Sequence, residues 1–179
     1  MQYNLGVIGA GKIGEAILAG SLSKGLLTPS DVILSVRTEQ HRKNLEDRYN
    51  VTAVLRNREV AMQSEIILIA VKPRTIFDVL QEIADIISDE SVVVSTVAGV
   101  TLDSMQKKLA RKVALIRTMP NLGVLVGEGM TALAPARFTE ESKIQKVKQL
   151  FESVGRALVL DEQYMDAVTG LSGSGPAYV

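Results

Sequence analysis

The hexapeptide Gly9-Ala10-Gly11-Lys12-Ile13-Gly14 follows directly on the apolar run Leu5 to Ile8 and opens a stretch where Ile13, Ala16, Ile17 and Leu22 face one side of a helix. Strand, glycine loop and helix in that order restrict the fold more than any other feature of the chain. Gly9 allows the tight turn, Gly11 the close approach of a pyrophosphate to backbone, and Gly14 the close packing of helix on strand. First-turn amides and the helix dipole then favour a diphosphate. A plain strand-to-helix turn is the competing reading, but three glycines in register exceed what turning alone requires.

The rest of the chain repeats the alternation. Short β-branched runs predict strands near 3–8, 32–36, 51–53, 66–71, 92–96, 113–118, 130–134 and 156–160. Helical patterns lie between them near 12–24, 39–48, 58–63, 74–87, 101–109 and 140–153. Ile66 to Val71 and Val92 to Val94 are apolar on both faces, as strands covered by helices on each side must be. Over 74–87, Ile76, Val79, Leu80, Ile83, Ile86 and Ile87 form one apolar stripe. The expected architecture is α/β: a Rossmann-like, doubly wound, mostly parallel sheet. A final helix is expected to begin near Asp161 and to be interrupted at Gly170 to Pro176.

The second strand bears on the cofactor. NAD-selective sites place an acid at its carboxyl end, about 20 residues beyond the glycines, to bind the ribose 2′-hydroxyl. Here that stretch reads Ser35-Val36-Arg37-Thr38, and Asp31 stands at the opposite end of the strand. Arg37 and the Thr38 hydroxyl suit a 2′-phosphate, with Arg42 and Lys43 adding positive potential; the competing reading is a set of solvated surface residues, which is preferred for Lys43 but not for Arg37. NADP(H) is therefore preferred, with NAD(H) as the alternative. His41, the single histidine, falls in this basic cluster and reads as a surface residue.

Ligands of open α/β sheets bind beyond the carboxyl ends of the strands. Three such ends carry unusual residues: Ala70-Val71-Lys72-Pro73, Ser95 to Val100, and Arg117-Thr118-Met119-Pro120-Asn121. Lys72-Pro73 suits a cofactor wall, and Ala98-Gly99 lets backbone approach a ring or ribose. Each is equally compatible with ordinary loop chemistry, and only their shared edge of the sheet favours a site.

Composition excludes other classes. The 20 basic and 20 acidic residues balance, which gives no footprint for nucleic acid or an anionic membrane. The absence of cysteine removes disulfides and thiol nucleophiles, and no metal site is expected. The longest apolar run is too short to span a bilayer, and the first residues lack a secretion signal, so a cytoplasmic location is expected.

With these residues in place, the chain resembles the pyrroline-5-carboxylate reductases over essentially all of its length. The resemblance rests on Ile8 to Gly14, Ala70 to Pro73, Arg117 to Asn121, and above all Asp166-Ala167-Val168-Thr169-Gly170-Leu171-Ser172-Gly173-Ser174-Gly175-Pro176-Ala177-Tyr178. It implies hydride transfer from NADPH or NADH to the imine of 1-pyrroline-5-carboxylate, giving L-proline, in a homo-oligomeric enzyme of proline biosynthesis. It implies that Asn57 contacts the adenosine end of the cofactor, and that Ala70 to Pro73 and Val97-Ala98-Gly99 line the ribose and nicotinamide. Asn121 is a candidate contact to nicotinamide or substrate, whereas Ser172 and Ser174 read as helix-linker residues. One departure is Leu122-Gly123, where the family commonly has Thr-Pro after Met-Pro-Asn.

The sequence stops at Val179, where the family continues into a helical domain that builds the dimer and holds the substrate. The expectation is a dinucleotide-binding domain over 1–160, then a linker helix and the start of the helical domain over 161–179. Such a chain is expected to bind cofactor and to be weakly active or inactive. The alternatives are an inert NADP-binding regulatory or interaction module, and another NADP-dependent reductase sharing this portion.

Overall fold

A computed structural model describes residues 1–173. The last part of the family motif, Ser174 to Tyr178, and the final Val179 lie outside the described residues. The chain alternates strand and helix: β1 (Tyr3–Ile8), α1 (Lys12–Ser23), β2 (Val32–Ser35), α2 (Glu39–Tyr49), β3 (Thr52–Val54), α3 (Asn57–Gln63), β4 (Ser64–Ile69), α4 (Ile76–Ile83), β5 (Val92–Ser95) and α5 (Leu102–Leu109). Then follow β6 (Ala114–Pro120), β7 (Gly129–Pro135), α6 (Glu141–Glu152), β8 (Gly155–Val159) and α7 (Met165–Val168).

The strands form one sheet in the order β3-β2-β1-β4-β5-β6-β7-β8. The first six are parallel, β7 runs antiparallel to β6, and β8 runs parallel to β7. Between β1 and β4 the order reverses, and a doubly wound sheet opens its ligand crevice at such a point.

Alternation along each strand feeds two cores. Leu5, Val7, Leu34, Leu68 and Val94 pack on one face with Ile17 and Leu18 of α1 and with Ile144, Val147, Leu150 and Phe151 of α6. Ile8, Ile33, Ile67, Ile69, Val93 and Leu115 pack on the other face with α3, α4 and α5 through Val60, Leu80, Ile83 and Met105. Both faces of the central strands are thus covered, which accounts for their unbroken apolar sequence.

Three elements depart from the sequence reading. The strand expected over 66–71 starts at Ser64 and ends at Ile69, and the chain then reaches Pro73 through Lys72, which is extended at φ −69°, ψ 149° as a residue before proline must be. The helix expected over 74–87 is a 3-10 turn, Pro73–Thr75, followed by α4; beyond Ile83 the chain turns, with both Ile86 and Ile87 N–H donating to the Ile83 carbonyl. Ile87 stays buried all the same, so the apolar period runs past the helix that suggested it. The 3-10 turn Leu122–Val126 had no counterpart in the sequence reading; Asn121 Oδ1 starts it by accepting from Gly123 N–H. At the end of the described chain, a 3-10 turn Glu162–Tyr164, α7 and a π-helical turn Thr169–Gly173 occupy the region where an interrupted helix was expected.

Candidate functional site

At the carboxyl edge of β1, β2 and β4 lies a cleft of about 550 Å³. Its floor is the glycine loop. Gly9 has φ +85°, and a Cβ there would stand 2.6 Å from Val71 Cγ1 and 3.0 Å from the Ala70 carbonyl oxygen. Only glycine satisfies both the backbone angle and that approach. A Cβ on Gly14 would meet the Gly9 carbonyl and Val7 Cγ1 at 3.1 Å, so α1 rides tightly on β1. Gly11 differs: a Cβ there would meet nothing within 4 Å. Its lack of a side chain therefore serves open space and not packing.

Gly11 is also the N-cap of α1 and offers no side-chain oxygen to the first-turn amides. Side chains cap two other helices, Thr38 Oγ1 accepting from His41 N–H in α2 and Thr101 Oγ1 accepting from Ser104 N–H in α5, whereas α3, α4 and α6 start without a side-chain cap as α1 does. A helix start without a side-chain cap, opening on a cleft, is a ready anion site. Glu15 turns away from it and accepts from Arg48 Nη1 at 2.6 Å and Tyr49 Oη at 2.9 Å, tying α1 to α2. Burial, and then the bond to Glu15, push the Tyr49 phenol above its ordinary pKa.

The β2 end forms one wall with Ser35, Arg37, Thr38 and His41, and Asn57 joins it from the start of α3. Ser35 is 1% exposed and donates to Asn57 Oδ1 at 2.8 Å, while Asn57 Nδ2 donates to Glu82 Oε2 at 2.7 Å. Arg37 is exposed, and among the described residues it enters no ion pair. Arg42 is a different case from the one its sequence position suggested. Glu39 and Glu46 take its guanidinium at 2.5 and 2.8 Å, which offsets the positive potential expected from it, and the contact holds the Glu39 carboxyl below its usual range.

The opposite wall is the β4 end: Ala70, Val71 and Lys72, then Arg74, Thr75 and Asp78. The last three were not singled out from sequence. Their position just after Pro73, at the carboxyl edge of a central strand, was the signal available. With Arg37, Lys72 and Arg74 set against Asp78 alone, the charged side chains lining the cleft favour an anionic ligand.

The remaining candidates stand around the cleft. Ile8 and Gly14 are buried beneath it, Ile13 packs against the core, and Lys12 and Pro73 are exposed. Val97, Ala98 and Gly99 do not line it but form the loop at the adjacent β5 end; Val97 is buried, Ala98 and Gly99 are exposed, and Gly99 has φ +74°. Asn121 has its amide engaged: Oδ1 accepts from Gly123 and Met130 N–H, both at 3.1 Å, and Nδ2 donates to Ser172 Oγ at 3.4 Å. Ser174 lies outside the described residues.

Comparison with known proteins bears on this geometry. Residues 4–99 match the family described as NADP oxidoreductase, coenzyme F420-dependent. A pyrroline-5-carboxylate reductase of Synechocystis is 40% identical over 179 residues, covering all of this chain and 66% of that protein. The structure of a pyrroline-5-carboxylate reductase from Coxiella burnetii superposes with a TM-score of 0.94 at 26% identity, over 99% of this chain and 66% of that one. A pyrroline carboxylate reductase from Plasmodium falciparum, solved with NADP bound, shares the fold at a TM-score of 0.88 and 24% identity, over 99% of this chain and 65% of that one. The chain spans about 66% of the length of the curated relatives it matches. By its glycine loop, its sheet and its sequence, the chain belongs to the pyrroline-5-carboxylate reductase family, and its residues 4–99 to the family described as NADP oxidoreductase, coenzyme F420-dependent.

Proposed function

We propose that this chain carries the dinucleotide-binding part of a pyrroline-5-carboxylate reductase and holds NADP(H) along the carboxyl edge of β2, β1 and β4. The observation that carries this reading is the glycine loop: an α1 start without a side-chain cap faces the cleft, and Gly11 leaves open space above it. The relatives' name and the NADP in the Plasmodium structure support the same choice.

In this arrangement the α1 amides take the diphosphate. Arg37 and Thr38 take the 2′-phosphate of the adenosine ribose, and Asn57 stands beside it. Ala70 to Lys72 line the cleft toward the nicotinamide, with Pro73 beside them and Val97 to Gly99 at the far end. Bound there, the dihydronicotinamide supplies hydride from its C4 to the imine carbon of 1-pyrroline-5-carboxylate, which yields L-proline. A protonated imine is a good electrophile, so the residues of this chain act by positioning and charge complementarity.

Residues 1–160 form the cofactor domain in this reading, and 161–179 lead toward a helical portion that supports homo-oligomers and substrate binding. On this reading the 179-residue chain by itself is expected to bind NADPH and to reduce pyrroline-5-carboxylate weakly or not at all. Titration with NADPH and NADH, followed by nicotinamide fluorescence, tests the cofactor assignment, and a turnover assay with pyrroline-5-carboxylate tests the rest. Absence of dinucleotide binding would refute the reading.

A further inference from the structure

Arg117 lies in β6 with 5% of its surface exposed, opposite Ser95, the last residue of β5. A guanidinium buried in a sheet needs a partner, because desolvation of a charge is costly. Its nearest carboxylate is Glu162, whose Oε1 accepts from Arg117 Nη1 at 3.1 Å. Asp166 approaches Nη2 at 3.5 Å, but its side chain is 95% exposed and screened by solvent.

Glu162 has a second task. The same Oε1 accepts from Leu102 N–H at 2.7 Å and so serves the first turn of α5 across 60 residues of sequence. The start of α5 is also the end of the loop that leaves β5 through Val97, Ala98 and Gly99. That loop is fixed at its root by the strand edge, where Thr96 N–H donates to the Ile69 carbonyl and Val97 N–H to Ser95 Oγ. Its other root is held by Glu162, and Glu162 is held by Arg117. The segment carrying Glu162 continues through α7 to the turn Thr169–Gly173, which meets the β6 end where Asn121 Nδ2 donates to Ser172.

We propose that Arg117 and Glu162 are positioning residues: their pair sets the Val97–Gly99 loop at the nicotinamide end of the cleft and ties that loop to the segment 162–173. The proposal rests on the cofactor reading above and adds residues that touch no part of the cofactor. The adenosine end, at β2, lies on the other side of β1 and β4 and is independent of the pair.

The test compares two ligands in the protein carrying Glu162→Ala and Arg117→Met. Adenosine 2′,5′-bisphosphate contains the adenosine end of NADPH and lacks the nicotinamide. Its affinity is expected to stay at the wild-type value, while NADPH affinity falls about tenfold, the order expected for loss of one well-formed polar contact. Glu162→Gln keeps an oxygen that can accept from Leu102 N–H and is expected to rescue part of the loss, which also covers the case where the other variants fold poorly. Amide exchange gives a readout without ligand: Leu102 N–H should exchange faster in Glu162→Ala than in Glu162→Gln. Equal losses for both ligands, or unchanged NADPH affinity, overturn the proposal. A wild-type protein that binds neither ligand overturns the cofactor reading, and the pair's role falls with it.

Discussion

The buried Ser35 hydroxyl and the Asn57 carboxamide join the ends of β2 and α3, with Asn57 Oδ1 accepting at 2.8 Å and Nδ2 passing the chain on to Glu82 at 2.7 Å. The amide is the right group for this place because it accepts on one side and donates on the other. A carboxylate could accept from Ser35 but would face Glu82 as a like charge.

Asn57→Asp is therefore expected to destabilise the protein by about 1–3 kcal/mol near neutral pH, through a lost donor and a new repulsion. Glu82 would raise the new carboxyl's pKa in the folded state above its unfolded value. Stability is then retained below the unfolded pKa and lost as pH rises through the folded one. Urea unfolding of variant and wild type across the acidic range checks this: the gap should close toward acid. A gap that stays constant with pH would count against the repulsion.

Arg37→Ala should separate the two cofactors. Arg37 is exposed and outside the ion pairs of the described residues, so its removal is expected to leave Tm nearly unchanged. A charged hydrogen bond to a phosphate contributes about 1.5–3 kcal/mol, so NADPH affinity should fall roughly 10- to 100-fold. NADH lacks the 2′-phosphate and should bind as before. Parallel titrations decide it; equal losses for both cofactors would remove Arg37 from the 2′-phosphate site.

Asp31 shows what the other end of β2 does. It closes a capping box with Thr28, accepting from Thr28 N–H at 2.8 Å and Oγ1 at 2.6 Å, and these bonds hold its carboxyl below the ordinary range. A depressed folded pKa gives stability that is present above the unfolded pKa and lost as pH falls through the folded one. Asp31→Asn is expected to cost no more than about 0.5–1 kcal/mol near neutral pH, since the site is solvent-exposed. In strong acid the Tm values of variant and wild type should converge. A difference that survives acid would show that the carboxylate charge is not the cause.

Much of this was legible in the chain. Runs such as Ile66 to Ile69 carry a two-sided apolar pattern because helices cover both faces, and the glycine loop is written in contiguous residues. Local patterns of this kind survive in sequence. The pairing of Arg42 with Glu39 and Glu46 was open to the same reading, since i,i+3 and i,i+4 neighbours share a helix face. The tie between Arg117 and Glu162 was not, because 45 residues separate them and only the folded sheet brings them together. The end of α4 at Ile83 was hidden for another reason: Ile87 continues the apolar period through a turn that buries it as well as a helix would.

The three glycines of the loop should fail in different ways. Gly9→Ala places a non-glycine residue at φ +85° with its Cβ 2.6 Å from Val71 Cγ1, so it should destabilise the fold by about 1–3 kcal/mol. Gly14→Ala meets backbone and side chain at 3.1 Å and should cost less, with α1 lifted from β1. Gly11→Ala meets no protein atom and has φ −81°, an angle alanine adopts freely, so Tm should hold. Its methyl group stands instead where the diphosphate would lie against the α1 amides. NADPH affinity should then fall by about tenfold or more, equivalent to at least ~1.4 kcal/mol, with stability intact. Calorimetry of Gly9→Ala and Gly11→Ala, with and without NADPH, reads both quantities at once. If Gly11→Ala binds NADPH as the wild type does, the diphosphate does not sit on this loop.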